Sequence, residues 1–191
     1  MVKSIEEQYQ KKTQLEHILL RPDTYVGSIE TNKDTLWIYD LDNHKIIKKE
    51  IDYTPALYKI FDEILVNSRD ACMTDKTTNE LRIKITKNRI SVENNGIGIP
   101  VELHRIEKCY VPELIFGHFR TGSNFDDDIR RTTGGRNGLG AKLTNAFSKE
   151  FIIETKDLKN KKYFKQTFRN NMSWKRKAIV EDVPDVKIGN V

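Results

Sequence analysis

The chain has 191 residues, with 33 Lys and Arg against 28 Asp and Glu, a net charge of +5, and 37% hydrophobic residues. That length suits one domain, alone or with an arm, and the apolar share supports a core, which excludes disorder throughout. The longest apolar run, Leu36 to Tyr39, is too short for a membrane span, the N-terminus has no apolar secretory segment, and Cys72 and Cys109 make neither a disulfide framework nor a zinc spacing.

Residues 1–28 read as a polar arm with one short helix, Thr13 to Leu20, stopped by Arg21-Pro22-Asp23. Trp37 to Tyr39 and Ile46-Ile47 predict the strands of a hairpin. Thr54-Pro55 opens a helix, Thr as cap and Pro in the first turn, that runs to about Met73. Leu81, Ile83 and Ile85 alternate with Arg82 and Lys84, which predicts a half-buried strand; Ile90 to Glu93 follows across a turn. A helix is expected over Val101 to Tyr110 and another over Ala141 to Phe147. Phe151 to Glu154 and Tyr163 to Phe168 predict two more strands. The pattern is α+β, a largely antiparallel sheet with helices on one face.

The positive excess suits an anionic partner, whether nucleotide, nucleic acid or an acidic surface. Three features carry chemistry. On the Pro55 helix, Leu57, Ile60, Phe61, Ile64, Ser68 and Ala71 form a core face, and Glu63, Asn67 and Asp70 stack in a stripe beside it. Such a stripe can hold a metal and a water, although plain polar stripes are common. Next, Glu93-Asn94-Asn95-Gly96-Ile97-Gly98-Ile99-Pro100 follows a strand. Asn94 offers an amide donor and acceptor, the glycines permit a sharp turn under a flat ligand, and Ile99 and Pro100 offer apolar surface. Third, Thr132 to Lys142 is glycine-rich and leads into a helix, a backbone arrangement that binds phosphate. It is not a P-loop, because Ala141 follows Gly140, and not a dinucleotide fingerprint, because Leu143 stands where a glycine is needed.

Taken in order, helix acid and amide, Asn-Asn-Gly-Ile-Gly, and Gly-Arg-Asn-Gly-Leu-Gly-Ala-Lys resemble the GHKL (Bergerat) ATPases. Tyr9 to Tyr25, Lys59 to Asn67, Tyr110 to Gly117 and Gly134 to Lys142 narrow the resemblance to the ATPase domain of eukaryotic-type type IIA DNA topoisomerase II, over about Tyr9 to Trp174. The resemblance implies a two-layer sandwich of mostly antiparallel sheet and helices. It divides the chain into an arm that exchanges between subunits, residues 1–28, and an ATPase domain, residues 29–191, which is expected to stop before its last strands and the transducer domain.

By the same resemblance Glu63 polarises the attacking water and Asn67 ligates Mg²⁺. Asn94 reads the adenine amino group, and Ile99, Pro100, Ile115 and Phe116 wall the base. Ser123 and Asn124 touch ribose and phosphate, and Arg136, Asn137, Gly138, Leu139, Gly140, Ala141 and Lys142 wrap the triphosphate. Tyr9 reaches the partner subunit's nucleotide. Ala71, Gly122 and Leu139 depart from the residues that close relatives often carry (Asn, Ser and Tyr), which implies altered affinity.

The implied function is the ATP-operated gate of a topoisomerase, with ATP and Mg²⁺ as cofactors, an ATP-dependent homodimer, double-stranded DNA in the full enzyme and no membrane. The implied setting is the nucleus, or the cytoplasm of a host infected by a large DNA virus, and not outside the cell. This stretch alone is expected to bind ATP and to hydrolyse it slowly or not at all. An alternative is a nucleotide switch that dimerises without turnover. A third reading, a basic nucleic-acid domain using Lys159, Lys161, Lys162, Lys175, Arg176 and Lys177, lacks an interleaved stacking platform.

Overall fold

The computed structural model describes residues 4–121 and 138–184. Two compact units divide the chain, Met1–Lys59 and Ile60–Val191.

In the first unit, helices α1 (Ile5–Gln8) and α2 (Gln14–Leu20) each start in a capping box, Ser4 with Glu7 and Thr13 with Glu16. In each box the cap hydroxyl takes an amide that has no partner in the helix, and the glutamate returns a bond to the cap's own amide. The α1 helix is additional to the single helix expected in the arm. After α2, a 3₁₀ turn over Pro22–Thr24 stops the helix where the proline predicts. The Tyr25 hydroxyl then reaches back to His17 Nδ1 at 2.8 Å. Strands β1 (Asn32–Asp40) and β2 (Lys45–Tyr53) pair antiparallel, Ile38 opposite Ile47.

Helix α3 (Pro55–Thr74) follows. Of its expected core face, Ile60, Phe61, Ile64 and Ala71 are half-buried and Ser68 is buried. Leu57, at the start of that face, is instead 56% exposed. Strands β3 (Leu81–Ile85) and β4 (Ile90–Asn94) form a two-stranded sheet. All five β3 residues are exposed, against the expected half-burial. Alternation sorts side chains onto two faces but does not say what covers either one.

The helix expected over Val101 to Tyr110 is absent. There the chain loops, bridging Leu103 to Tyr110 with Lys108 at φ 56°. Helix α4 comes later, over Val111–Gly117, because Tyr110 is extended as its cap and Pro112 fits the first turn. Helix α5 spans Gly140–Ala146. Strands β5 (Glu150–Asp157), β6 (Lys162–Arg169), β7 (Trp174–Lys175) and β8 (Ile179–Asp182) form a sheet in which β6 pairs with the other three. Every strand pairing among the described residues is antiparallel.

In the second unit Val101, Ile153, Phe164 and Phe168 form one buried cluster, with Tyr110, Phe116, Phe151, Ala178 and Val180 packed against it. Gly117 sits where an added Cβ would meet the Phe168 ring at 2.8 Å, so its smallness lets α4 approach β6 closely.

Candidate functional site

The site is built on α3 and α5. Glu63 and Asn67 lie one helical turn apart, Glu63 half-buried and Asn67 exposed. The third stripe residue, Asp70, pairs with Arg69 at 3.5 Å. Thr144 of α5 donates to the Ile60 carbonyl of α3 at 2.7 Å, one turn before Glu63. Gly140 completes the approach, because a Cβ added there would land on the Glu63 carboxylate. The helix acid and the end of the glycine segment are therefore in contact.

Gly138 turns the chain at φ 59°, and Leu139 precedes α5. Ala141 and Lys142 are buried. The Lys142 Nζ donates to the Thr121 carbonyl at 2.5 Å, and burial pulls the amine from its ordinary 10.5 to about 8. Asn145, also on α5, donates to the Phe116 carbonyl at 3.0 Å, tying α5 to the end of α4. Ser123, Asn124, Arg136 and Asn137 lie outside the described residues.

Asn94 ends β4, half-buried, with its Nδ2 bonded to the Asn95 carbonyl at 3.0 Å. The Asn95 side chain accepts from the backbone amides of Asn79 and Glu80, each at 2.9 Å. Beyond it the non-strand segment 97–101 is laced by side chains at alternate amides. Ile97 N–H donates to Asp75 Oδ2 at 2.9 Å, Ile99 N–H to Thr155 Oγ1 at 3.0 Å, and Val101 N–H to Asp157 Oδ2 at 2.7 Å. Gly96 at φ 121° and Gly98 at φ 78° make the bends between them. A Cβ at Gly98 would strike the Lys156 carbonyl.

The lacing carboxylates are held ionised. The Ile97 amide, then the Thr77 hydroxyl and amide, bring Asp75 down to about 2. Burial raises Asp157, yet the Asn160 and Val101 amides outweigh it and hold the group below its ordinary value. Sequence reasoning found Asn94 and the glycines but missed Asp75, Thr155 and Asp157. Their amide partners lie 22 and 56 positions away, so no local pattern marks them.

Ile99 is half-buried and Pro100 exposed, both beside the lacing. Ile115 and Phe116 are half-buried on α4, and the Phe116 ring packs 6.1 Å from Phe151, on the core side. Tyr9 belongs to the first unit and is 79% exposed. In the basic set, Lys162 pairs with Asp182 at 2.7 Å and Lys175 with Glu113 at 2.6 Å.

Residues 52–169 match the family described as histidine kinase-, DNA gyrase B-, and HSP90-like ATPase. The chain belongs to that family. Nucleotide binding comes with membership, and the α+β class read from the sequence stands. The chain is 58% identical over 180 residues to DNA topoisomerase 2 of Pisum sativum, covering 93% of this chain and 12% of that protein. It superposes on the ATPase and transducer domains of DNA topoisomerase II from Balamuthia mandrillaris with a TM-score of 0.93 at 49% identity, over 95% of this chain and 47% of that one. It superposes on the ATPase region of Saccharomyces cerevisiae topoisomerase II with a TM-score of 0.90 at 48% identity, over 93% and 48%. The chain thus spans about an eighth of the length of the curated relatives it matches. No helix among the described residues is long and apolar enough to cross a membrane.

Proposed function

We propose that this chain binds ATP between α3, the laced segment 97–101 and α5, and that it serves as the ATP-hydrolysing gate of a type II DNA topoisomerase. The observation that carries the reading is the contact of Gly140 with Glu63, since only a residue without a side chain lets the phosphate-wrapping segment close on the helix acid. Phosphoryl transfer needs an aligned water and compensated charge more than covalent chemistry. Glu63 orients that water through its carboxylate, so its position matters more than its basicity. Lys142 brings one positive charge toward the phosphates and leaves the Thr121 carbonyl to do so. The Asn94 side chain, fixed at the end of β4, reads the adenine amino group. Ile99, Pro100, Ile115 and Phe116 supply the apolar wall, and Ser123, Asn124, Arg136 and Asn137 add polar contacts.

Mg²⁺ fits the donors present. Asn67 offers an exposed, hard amide oxygen beside Glu63, and the cation prefers oxygen ligands and keeps several waters. When bound, the ion neutralises charge on the phosphates.

The arm, residues 1–28, exchanges across an ATP-dependent homodimer, with the exposed Tyr9 reaching the partner's nucleotide. In the complete protein this closure is coupled to passage of one DNA duplex through another, in a nucleus or in cells infected by a large DNA virus.

The test is a nucleotide titration with and without Mg²⁺, comparing ATP with GTP, on wild type and Glu63→Ala. ATP preference, Mg²⁺ dependence and binding retained in the variant are expected, with turnover abolished in the complete enzyme. Equal affinity for GTP would refute the assignment of Asn94. Sedimentation with a non-hydrolysable ATP analogue tests the arm: a monomer with and without nucleotide overturns the dimer.

A further inference from the structure

Cys109, Glu113 and His118 stand at the two ends of α4, one before it, one in its first turn and one as its C-cap. One donor atom from each lies within 4.8 Å of the others. Tetrahedral zinc with bonds of about 2.0–2.3 Å sets its donors about 3.3–3.8 Å apart, so a movement of about 1 Å gathers all three. A thiol, an imidazole and a carboxylate are a donor set for zinc-like ions and a poor one for Mg²⁺ or Ca²⁺.

A second observation points to a missing ligand. Gln166 on β6 is 2% exposed, and its Nε2 donates to Glu113 Oε2 at 2.9 Å and to the Arg176 carbonyl at 3.1 Å. Those two acceptors fix which way the amide faces. Its Oε1 is then buried without a donor, which is rare enough to need an explanation. Gln166, Cys109 and Glu113 line one cavity of about 420 Å³.

We propose that Cys109, Glu113 and His118 form a site for one thiophilic divalent cation of the zinc class. A water in the cation's fourth position supplies the donor that Gln166 Oε1 lacks. In the metal-free chain the Lys175 ammonium holds the same carboxylate, 2.6 Å from Glu113 Oε1. The Lys175 side chain is half exposed, so a divalent ion displaces it into solvent. Cys109 is a free thiol, and a thiol gives up its proton when it ligates a metal. The ion then clasps both ends of α4. The inference stands apart from the nucleotide reading.

Titration of the metal-free chain with Co²⁺, then Zn²⁺, tests this in the absence of nucleotide and Mg²⁺. One Co²⁺ per chain is expected, with a near-ultraviolet thiolate charge-transfer band that Zn²⁺ abolishes. The band is lost in Cys109→Ser and kept in Cys72→Ser. His118→Ala weakens binding at least tenfold, and calorimetry in two buffers shows about one proton released. Lys175→Ala removes the competing cation, so it tightens binding severalfold. This readout does not depend on the cysteine variant folding. No band at stoichiometric cobalt, an equal band in folded Cys109→Ser, or unchanged affinity in Lys175→Ala overturns the site.

Discussion

Lys142→Met should make the protein without nucleotide more stable and its nucleotide affinity weaker. Lys142 is 3% exposed, and among the described residues its Nζ donates to the Thr121 carbonyl. The fall from 10.5 to about 8 corresponds to about 3 kcal/mol, at 1.36 kcal/mol per pH unit, for keeping the ammonium charged at neutral pH. Losing the charge-assisted bond to Thr121 deducts about 2 kcal/mol. Methionine is similarly long and needs no partner, so a net gain of about 1 kcal/mol is expected at pH 7. An amine whose folded pKa lies below its unfolded one leaves the folded state with fewer protons between the two values. Wild-type stability therefore rises as pH climbs from about 8 to 10.5, and the variant lacks this rise. Urea unfolding of both proteins between pH 7 and 10 reads the effect, and the variant's advantage should shrink steadily with pH. A variant less stable at pH 7, or a difference independent of pH, refutes the reasoning.

Gly98→Ala should lose about 2–3 kcal/mol in urea unfolding, since φ 78° and the Lys156 carbonyl both oppose a side chain. Gly140→Ala, at the first position of α5, pushes the Glu63 carboxylate aside. In the complete enzyme its ATP turnover should fall at least tenfold while far-ultraviolet circular dichroism is preserved. Asp75 is depressed to about 2, so its contribution is present above its ordinary 3.8 and disappears as pH falls through 2. Acid unfolding followed between pH 4 and 2 should therefore be shallower in Asp75→Asn than in wild type.

Features written in neighbouring residues were legible. Arg21-Pro22-Asp23 announced the end of α2, Pro55 announced α3, and the Gly-Leu-Gly run announced the start of α5. The helix expected at Val101 to Tyr110 failed because its apolar residues serve a bridged loop, while Pro112, a proline suited to a first helical turn, was the usable signal for α4. The exposure of Ile83 and Ile85 was illegible because their alternation names a face and not its cover. Glu63 and the glycines of the candidate site were readable as residue types at fixed spacing. Their meeting was not, since it depends on Thr144 reaching the Ile60 carbonyl across 84 positions. The cation cluster escaped for a similar reason: Cys109, Glu113 and His118 follow no familiar zinc spacing and converge only because a short helix separates them.

The row of side chains that grips Ile97, Ile99 and Val101 has a consequence for evolution and for drug resistance. Two of the three grips come from the far end of β5, from Thr155 and Asp157. Under the proposed function, substitutions in that distant strand should therefore alter nucleotide affinity through Ile99 without touching any residue assigned to the base. Variants selected against a competitive inhibitor are expected at these anchoring positions as well as in the pocket lining.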